Sequence, residues 1–291
     1  MSLYYVPTDS KGIEHTSTGR VRWNPPAGDN AVVTTGAQPL VLRHADTLLE
    51  VLDECVYRAE PVGPQTSHSD DVLRVESARL ISRTPWDTES ASRFAIDVAQ
   101  HALAQEGEVC LPDGSVLREV LSYARQVLDG TSSSDHARLG YLARVRALRR
   151  LRQERTELSD LSFGLVVSDE ARLIDALDDP AYASVITVAD SVLAAIEALH
   201  HHVFPELYLE LEDTREGWAE HDVLDQHSPG PVMSVRSALS AGIHYEPAWT
   251  SAREAARHAR MAAKDRSGDE GELSERRWQA QVLEALLTAS H

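Results

Sequence analysis

Thirteen histidines are the residues of this chain best suited to chemistry. Imidazole ligates metals and moves protons near neutral pH, and His101, His200 and His258 each follow an acid at helical spacing. Glu197-Ala198-Leu199-His200 is a Glu-x-x-His, whose end residues share one helix face. Carboxylate-bridged di-iron bundles use that half-site twice, with two further glutamates, and this sequence has no second copy. Asp97/His101 and Glu254/His258 are i,i+4 pairs, each able to give a metal two ligands. The competing reading of each pair is a surface acid–imidazole contact of about 0.3 kcal/mol. His101, Glu197, His200 and His258 are therefore the metal-ligand candidates, although no cofactor or metal is expected. A catalytic or small-ligand site would need them to converge in one cavity. On a helix His200, His201 and His202 point about 100° apart and cannot share an ion. They are expected to cap a helix C-terminus, where imidazolium suits the dipole.

Other chemistry lacks its signatures. The sequence has no P-loop, dinucleotide glycine pattern, Gly-x-Ser-x-Gly elbow, His-Glu-x-x-His, Cys-x-x-Cys or acidic calcium loop. Cys55 and Cys110 lie among apolar neighbours and read as buried, reduced thiols. Trp86 and Trp278 sit at a helix start or on an apolar stripe, which predicts core packing. Trp23 and Trp249 fall in Pro-containing irregular segments, so they are the tryptophans expected to be partly exposed and to meet a partner. Seven arginines crowd residues 138–155. Arg146, Arg149 and Arg150 are candidates to bind an anion or an acidic partner, against internal pairing with surplus carboxylates.

The charge balance narrows the partners further. Asp plus Glu outnumber Lys plus Arg by 46 to 28, for a net charge of −18. Such a surface repels phosphate backbones and anionic membranes, which disfavours nucleic acid and suits a basic protein partner. With 42% hydrophobic and 25% charged residues, the composition is that of a soluble globular protein. No run approaches the roughly 18 apolar residues of a membrane span, and residues 1–20 lack a signal-peptide core, so a cytoplasmic protein is expected.

The elements that would carry these residues read mainly as helices. Residues 84–128 are the clearest stretch. Thr84-Pro85-Trp86-Asp87 reads as a capped helix start. Phe94, Val98, Ala99, Ala102 and Leu103 then form a buried stripe that ends at Gly107. A second stripe of Val116, Leu117, Val120, Leu121, Ala124, Val127 and Leu128 makes an antiparallel hairpin with the first. Further helices are predicted over 46–59 (Leu48, Leu49, Leu52, Cys55 and Val56 on one face), 72–81, 139–151, 169–177, 180–199, 232–241, 250–265 and 273–289. A strand is the alternative for 72–75. Residues 60–68 and 226–231 read as loops and 266–272 as a charged linker. Residues 161–167 and 206–212 read as short strands, the latter by its alternation. Short β-prone runs divided by Pro, Gly and Asn clusters mark 1–45 as a small meander or an arm that packs in cis or on another copy.

The fold class expected is therefore mainly α. It is a multi-helix bundle of residues 46–291, divisible near 157–168, with an N-terminal β meander or arm over 1–45 and one or two further strands. An α+β fold is the alternative. Ser90-Ala91-Ser92-Arg93-Phe94-Ala95-Ile96-Asp97-Val98-Ala99-Gln100-His101-Ala102-Leu103 with Trp86, and the late Ala-rich helix followed by Glu275-Arg276-Arg277-Trp278-Gln279, resemble all-helical immunity proteins of bacterial toxin systems. The resemblance covers at most about a third of the chain and transfers no functional residue. It implies a non-catalytic inhibitor acting by protein–protein contact. An assembly subunit that exchanges residues 1–45 between copies, forming a homo-oligomer, and an enzyme with a His/carboxylate site between helices are the other readings.

Overall fold

The structure is a computed structural model and describes residues 3–16, 19–23, 32–34, 39–62, 65–68, 72–106, 117–131, 180–203 and 247–289. The strands are β1 (Tyr4–Thr8), β2 (Ile13–Thr16), β3 (Gly19–Arg22), β4 (Val32–Thr34), β5 (Leu40–Arg43), β6 (Cys55–Pro61), β7 (Gln65–His68), β8 (Val72–Val75) and β9 (Ser77–Arg83). The helices are α1 (Ala45–Leu48), α2 (Thr88–Glu106), α3 (Leu117–Leu128), α4 (Pro180–Val203) and α5 (Ala248–Thr288).

Seven strands form one antiparallel sheet in the order β4-β9-β6-β1-β5-β8-β7, and β2-β3 is a separate hairpin. The fold is therefore α+β, and the expectation of a helical bundle with a small arm is wrong. β1 lies at the sheet's centre, bonded to β6 on one side and β5 on the other. Residues 4–8 thus pair within this chain's own sheet.

Alternation along the strands explains the sheet. On β1, Tyr5 joins the helical core while its neighbour Val6 joins a second core with Leu40, Leu42, Leu73, Val75 and Leu80. On β6, Val56 takes the helical side, and Cys55 and Tyr57 take the other. The helix expected over 46–59 exists only as the single turn of α1. Leu48, Leu49, Leu52, Cys55 and Val56 are all buried, yet the last two are buried by a strand. Residues 60–68, expected as a loop, contain the end of β6 and all of β7. The helix expected over 72–81 is β8 and β9: Leu73, Val75, Ala78 and Leu80 point inward, and Arg74 and Glu76 outward. Period two outweighs helix propensity once each strand has a neighbour to bond.

The helical body follows. Asp87, not Thr84, caps α2, its Oδ1 accepting from Ser90 N–H at 2.8 Å. Thr84 instead donates its hydroxyl to Val56 O at 2.8 Å, and the Trp86 indole N–H donates to Asp53 O at 2.9 Å. These two bonds join the start of α2 to the sheet and the α1 loop.

α4 is buried over a wide arc, with Val188, Val192, Ala195, Ile196 and Leu199 inside. Serine hydroxyls mark close helix approaches: Ser92 donates to Ala198 O at 2.8 Å and Ser191 to Ala255 O at 2.9 Å. α5 breaks at Gly268 (φ 66°, ψ −158°), a conformation open essentially to glycine alone. Its arms, 248–267 and 269–288, fold back antiparallel, so the expected seven-residue linker shrinks to one residue. Gly271 lets the arms meet, since a Cβ there would lie 2.3 Å from Ala263 O. The Ala252, Ala255, Ala256, Ala259 and Ala262 face is fully buried.

Candidate functional site

A chain of polar side chains runs through the seam between α2 and the two arms of α5. Gln279, fully buried, is its hub. The Gln279 carbonyl accepts from Arg260 Nη1 at 2.8 Å. Its amide donates to Ala256 O and to Glu275 Oε1, both at 3.0 Å. Arg260 Nη2 continues to Glu50 Oε1, 2.7 Å away in the turn after α1. Burial pulls the Arg260 pKa down, and the Glu50 carboxylate opposes that pull. Arg276 donates to Asp46 O at 3.3 Å, a second tie from α5 to α1.

Glu275 is 2% exposed and faces His101 of α2, with Oε2 3.3 Å from Nε2. The Trp278 ring stacks on the imidazole at 3.7 Å and 12°. Gln105 Nε2 lies 2.9 Å from the same His101 Nε2. Arg266 holds the Gln105 carbonyl at 2.6 Å and pairs with Glu106, to which Ser184 of α4 donates at 3.0 Å. A carboxylate behind an imidazole is the orienting half of an acid–base site. Here Nε2 is shared between a carboxylate and an amide and can serve one at a time, while indole covers one ring face. This arrangement positions side chains and locks helices together.

A second polar cluster lies at the end of α4. His201 Nδ1 accepts from Ala248 N–H at 3.3 Å, and its ring meets Trp249 edge-on at 5.8 Å. His202 Nδ1 lies 3.1 Å from Thr88 Oγ1 at the start of α2. Burial, and to a lesser degree the neighbouring His202, lowers the His201 pKa from 6.5 to about 4. His201 is thus a neutral acceptor at the N-terminus of another helix, instead of an imidazolium capping its own. Burial at the junction, with His202 beside it, decides the matter.

The metal-ligand candidates go separate ways. His101 takes Glu275 and Trp278, and its expected partner Asp97 is paired with Arg125. His258 is 3.9 Å from Glu254, an acid that also holds Arg257 at 2.6 Å. His200 is buried in α4, and Glu197 lies one turn before it. Among the described residues no group of three or more His, Cys, Asp or Glu could hold a metal ion.

Trp23, expected partly exposed, is 1% exposed and donates its indole N–H to Glu14 Oε2 at 2.9 Å. Glu14 is itself buried and pairs with Arg43 at 2.5 Å. Trp249 is half-buried against the helical core. Arg146, Arg149 and Arg150 lie outside the described residues, as do the elements expected over 139–177 and 206–241. Cys55 is a buried free thiol whose pKa burial raises; Cys110 lies outside the described residues.

Sequence reasoning missed Glu275, Gln279 and Arg260. The signal was present, since the Leu287 and Leu283 stripe of α5, continued backwards by fours, lands on Gln279 and Glu275. Among the described residues no helix is long and apolar enough to cross a membrane. Comparison with protein-family models, curated proteins and solved structures finds no match to this chain.

Proposed function

We propose that this protein is a non-catalytic binding protein, acting as an inhibitor or immunity protein does, and that its partner is a basic protein. The distribution of acid carries the reading. Between Glu206 and Asp225 the sequence places Glu210, Glu212, Asp213, Glu216, Glu220 and Asp222, with Arg215 as the only Lys or Arg. This segment alone supplies a large share of the net charge of −18. Dense single-sign charge steers an oppositely charged partner and raises its association rate by about 10- to 1,000-fold at low salt. The polar groups of the α2/α5 seam support the same reading, because they are engaged with one another.

The test is affinity capture with the full chain at low and high salt, beside the E210Q/E212Q/D213N/E216Q variant. A cationic protein retained at low salt, and lost both at high salt and on the variant, is the expected result. Recovery of the same proteins under all conditions would overturn the proposal.

A further inference from the structure

Three helix ends meet at the consecutive histidines. His201 of α4 accepts from the N–H of Ala248, the first residue of α5, at 3.3 Å. His202 contacts the hydroxyl of Thr88, the first residue of α2, at 3.1 Å. Trp249 packs edge-on to the His201 ring at 5.8 Å. One end of α4 is thus held to two helix starts by two imidazoles. From this geometry we propose that the junction is an acid-operated latch, in which protonation of His201 releases the first turn of α5, with Trp249, from the end of α4.

The chemistry follows from the ring nitrogen. A protonated Nδ1 cannot accept, so the Ala248 N–H loses its partner and two donors face each other. The imidazolium would also lie at the positive end of α5. Glu197, His200 and His202 share the helix of His201, and of these His202 opposes a second positive charge. On the α2 side the Asp87 carboxylate is taken by Ser90 N–H and Glu89 by Arg93. On the α5 side Glu254 is committed to Arg257. The closed junction therefore resists protonation down to about pH 4, whereas an opened one binds a proton near 6.5. Acid draws the equilibrium towards the open form by mass action.

Amide hydrogen exchange on the full chain tests the latch, after correction for the intrinsic pH dependence of exchange. Protection of residues 248–251, relative to the interior of α2, should fall by up to about tenfold per pH unit between 6.5 and 4. H201N supplies a carboxamide oxygen that accepts from Ala248 N–H at any pH, and its protection should stay level. An equal fall in H201N, or no fall in the wild type, would overturn the latch. Should H201N not fold, nitrogen-15 spectra of the wild-type imidazoles decide. A His201 titration midpoint far below 6.5 supports the latch, and a midpoint at or above 6.5 refutes it.

Discussion

Replacing Gln279 with leucine removes the hub of the α2/α5 seam while nearly conserving its volume. Gln279 has no exposed surface, and its three partners are Arg260 Nη1, Glu275 Oε1 and Ala256 O. Ala256 O lies within a helix and loses only a second hydrogen bond. The two charged partners matter more. Arg260 keeps Glu50, and Glu275 keeps His101, so neither is left wholly alone. Each orphaned buried group costs about 1–3 kcal/mol, which puts Q279L at roughly 2–5 kcal/mol of destabilisation. The double variant R260M/Q279L removes one orphan together with its donor. It should be less destabilised than the sum of the single variants by about 1–2 kcal/mol, a coupling typical of residues in one network. Glu50, freed of Arg260, is already half exposed and can hydrate. Urea unfolding followed by circular dichroism gives all four corners of the cycle. A Q279L cost below about 0.5 kcal/mol, or strict additivity, would show that the seam is not a connected network.

Other expectations concern single positions. Gly268→Ala forces a side chain into a glycine-only conformation and should cost about 1–3 kcal/mol. Gly271→Ala places a Cβ 2.3 Å from Ala263 O and should cost at least as much, each kcal/mol lowering the melting temperature by roughly 2–4 °C. Trp23→Phe takes a donor from buried Glu14 and leaves a gap in the sheet core, for about 2–4 kcal/mol in chemical denaturation. Stability should also depend on pH through His201, whose folded pKa of about 4 lies below its unfolded 6.5. Between those values the unfolded chain binds a proton that the native chain refuses. Stability is therefore full above about pH 7 and declines as the pH drops through this window. The upper bound is about 3 kcal/mol, reduced to about 2 by residual solvation of the ring. Unfolding free energies at pH 7.5 and 4.5 should differ by this amount in the wild type and by clearly less in H201N.

The helices were legible where one face had to be apolar and no second period competed. Phe94, Val98, Ala102 and Leu103 admit only a helix, and so do Val188, Val192, Ile196 and Leu199. The sheet was hidden by ambiguity. Leu48, Leu49, Leu52, Cys55 and Val56 fit helical spacing, yet Cys55-Val56-Tyr57 also fits a strand with two buried faces, and only the neighbours β1 and β9 decide between them. The β8–β9 stretch alternates, but its four- and seven-residue runs are short enough to pass for one amphipathic helix. Of the polar clusters, the pairs close in sequence misled. Asp97 and His101 are one turn apart, but each finds its partner in another element, Arg125 and Glu275 respectively. Long-range charge pairing leaves no periodic trace, whereas a polar residue lying in register with a leucine stripe does.

The position of β1 bears on how the protein fails. Strands β4, β9 and β6 lie on one side of it, and β5, β8 and β7 on the other. Trimming of residues 4–8 by a protease, or translation begun at a later codon, would leave two three-stranded ribbons with raw inner edges and no strand between them. Those inner edges carry unpaired backbone groups that template aggregation. A loss of five residues at this place would convert a folded domain into a precipitating one, while similar trimming at the short rim strand β4 would leave the other six strands joined.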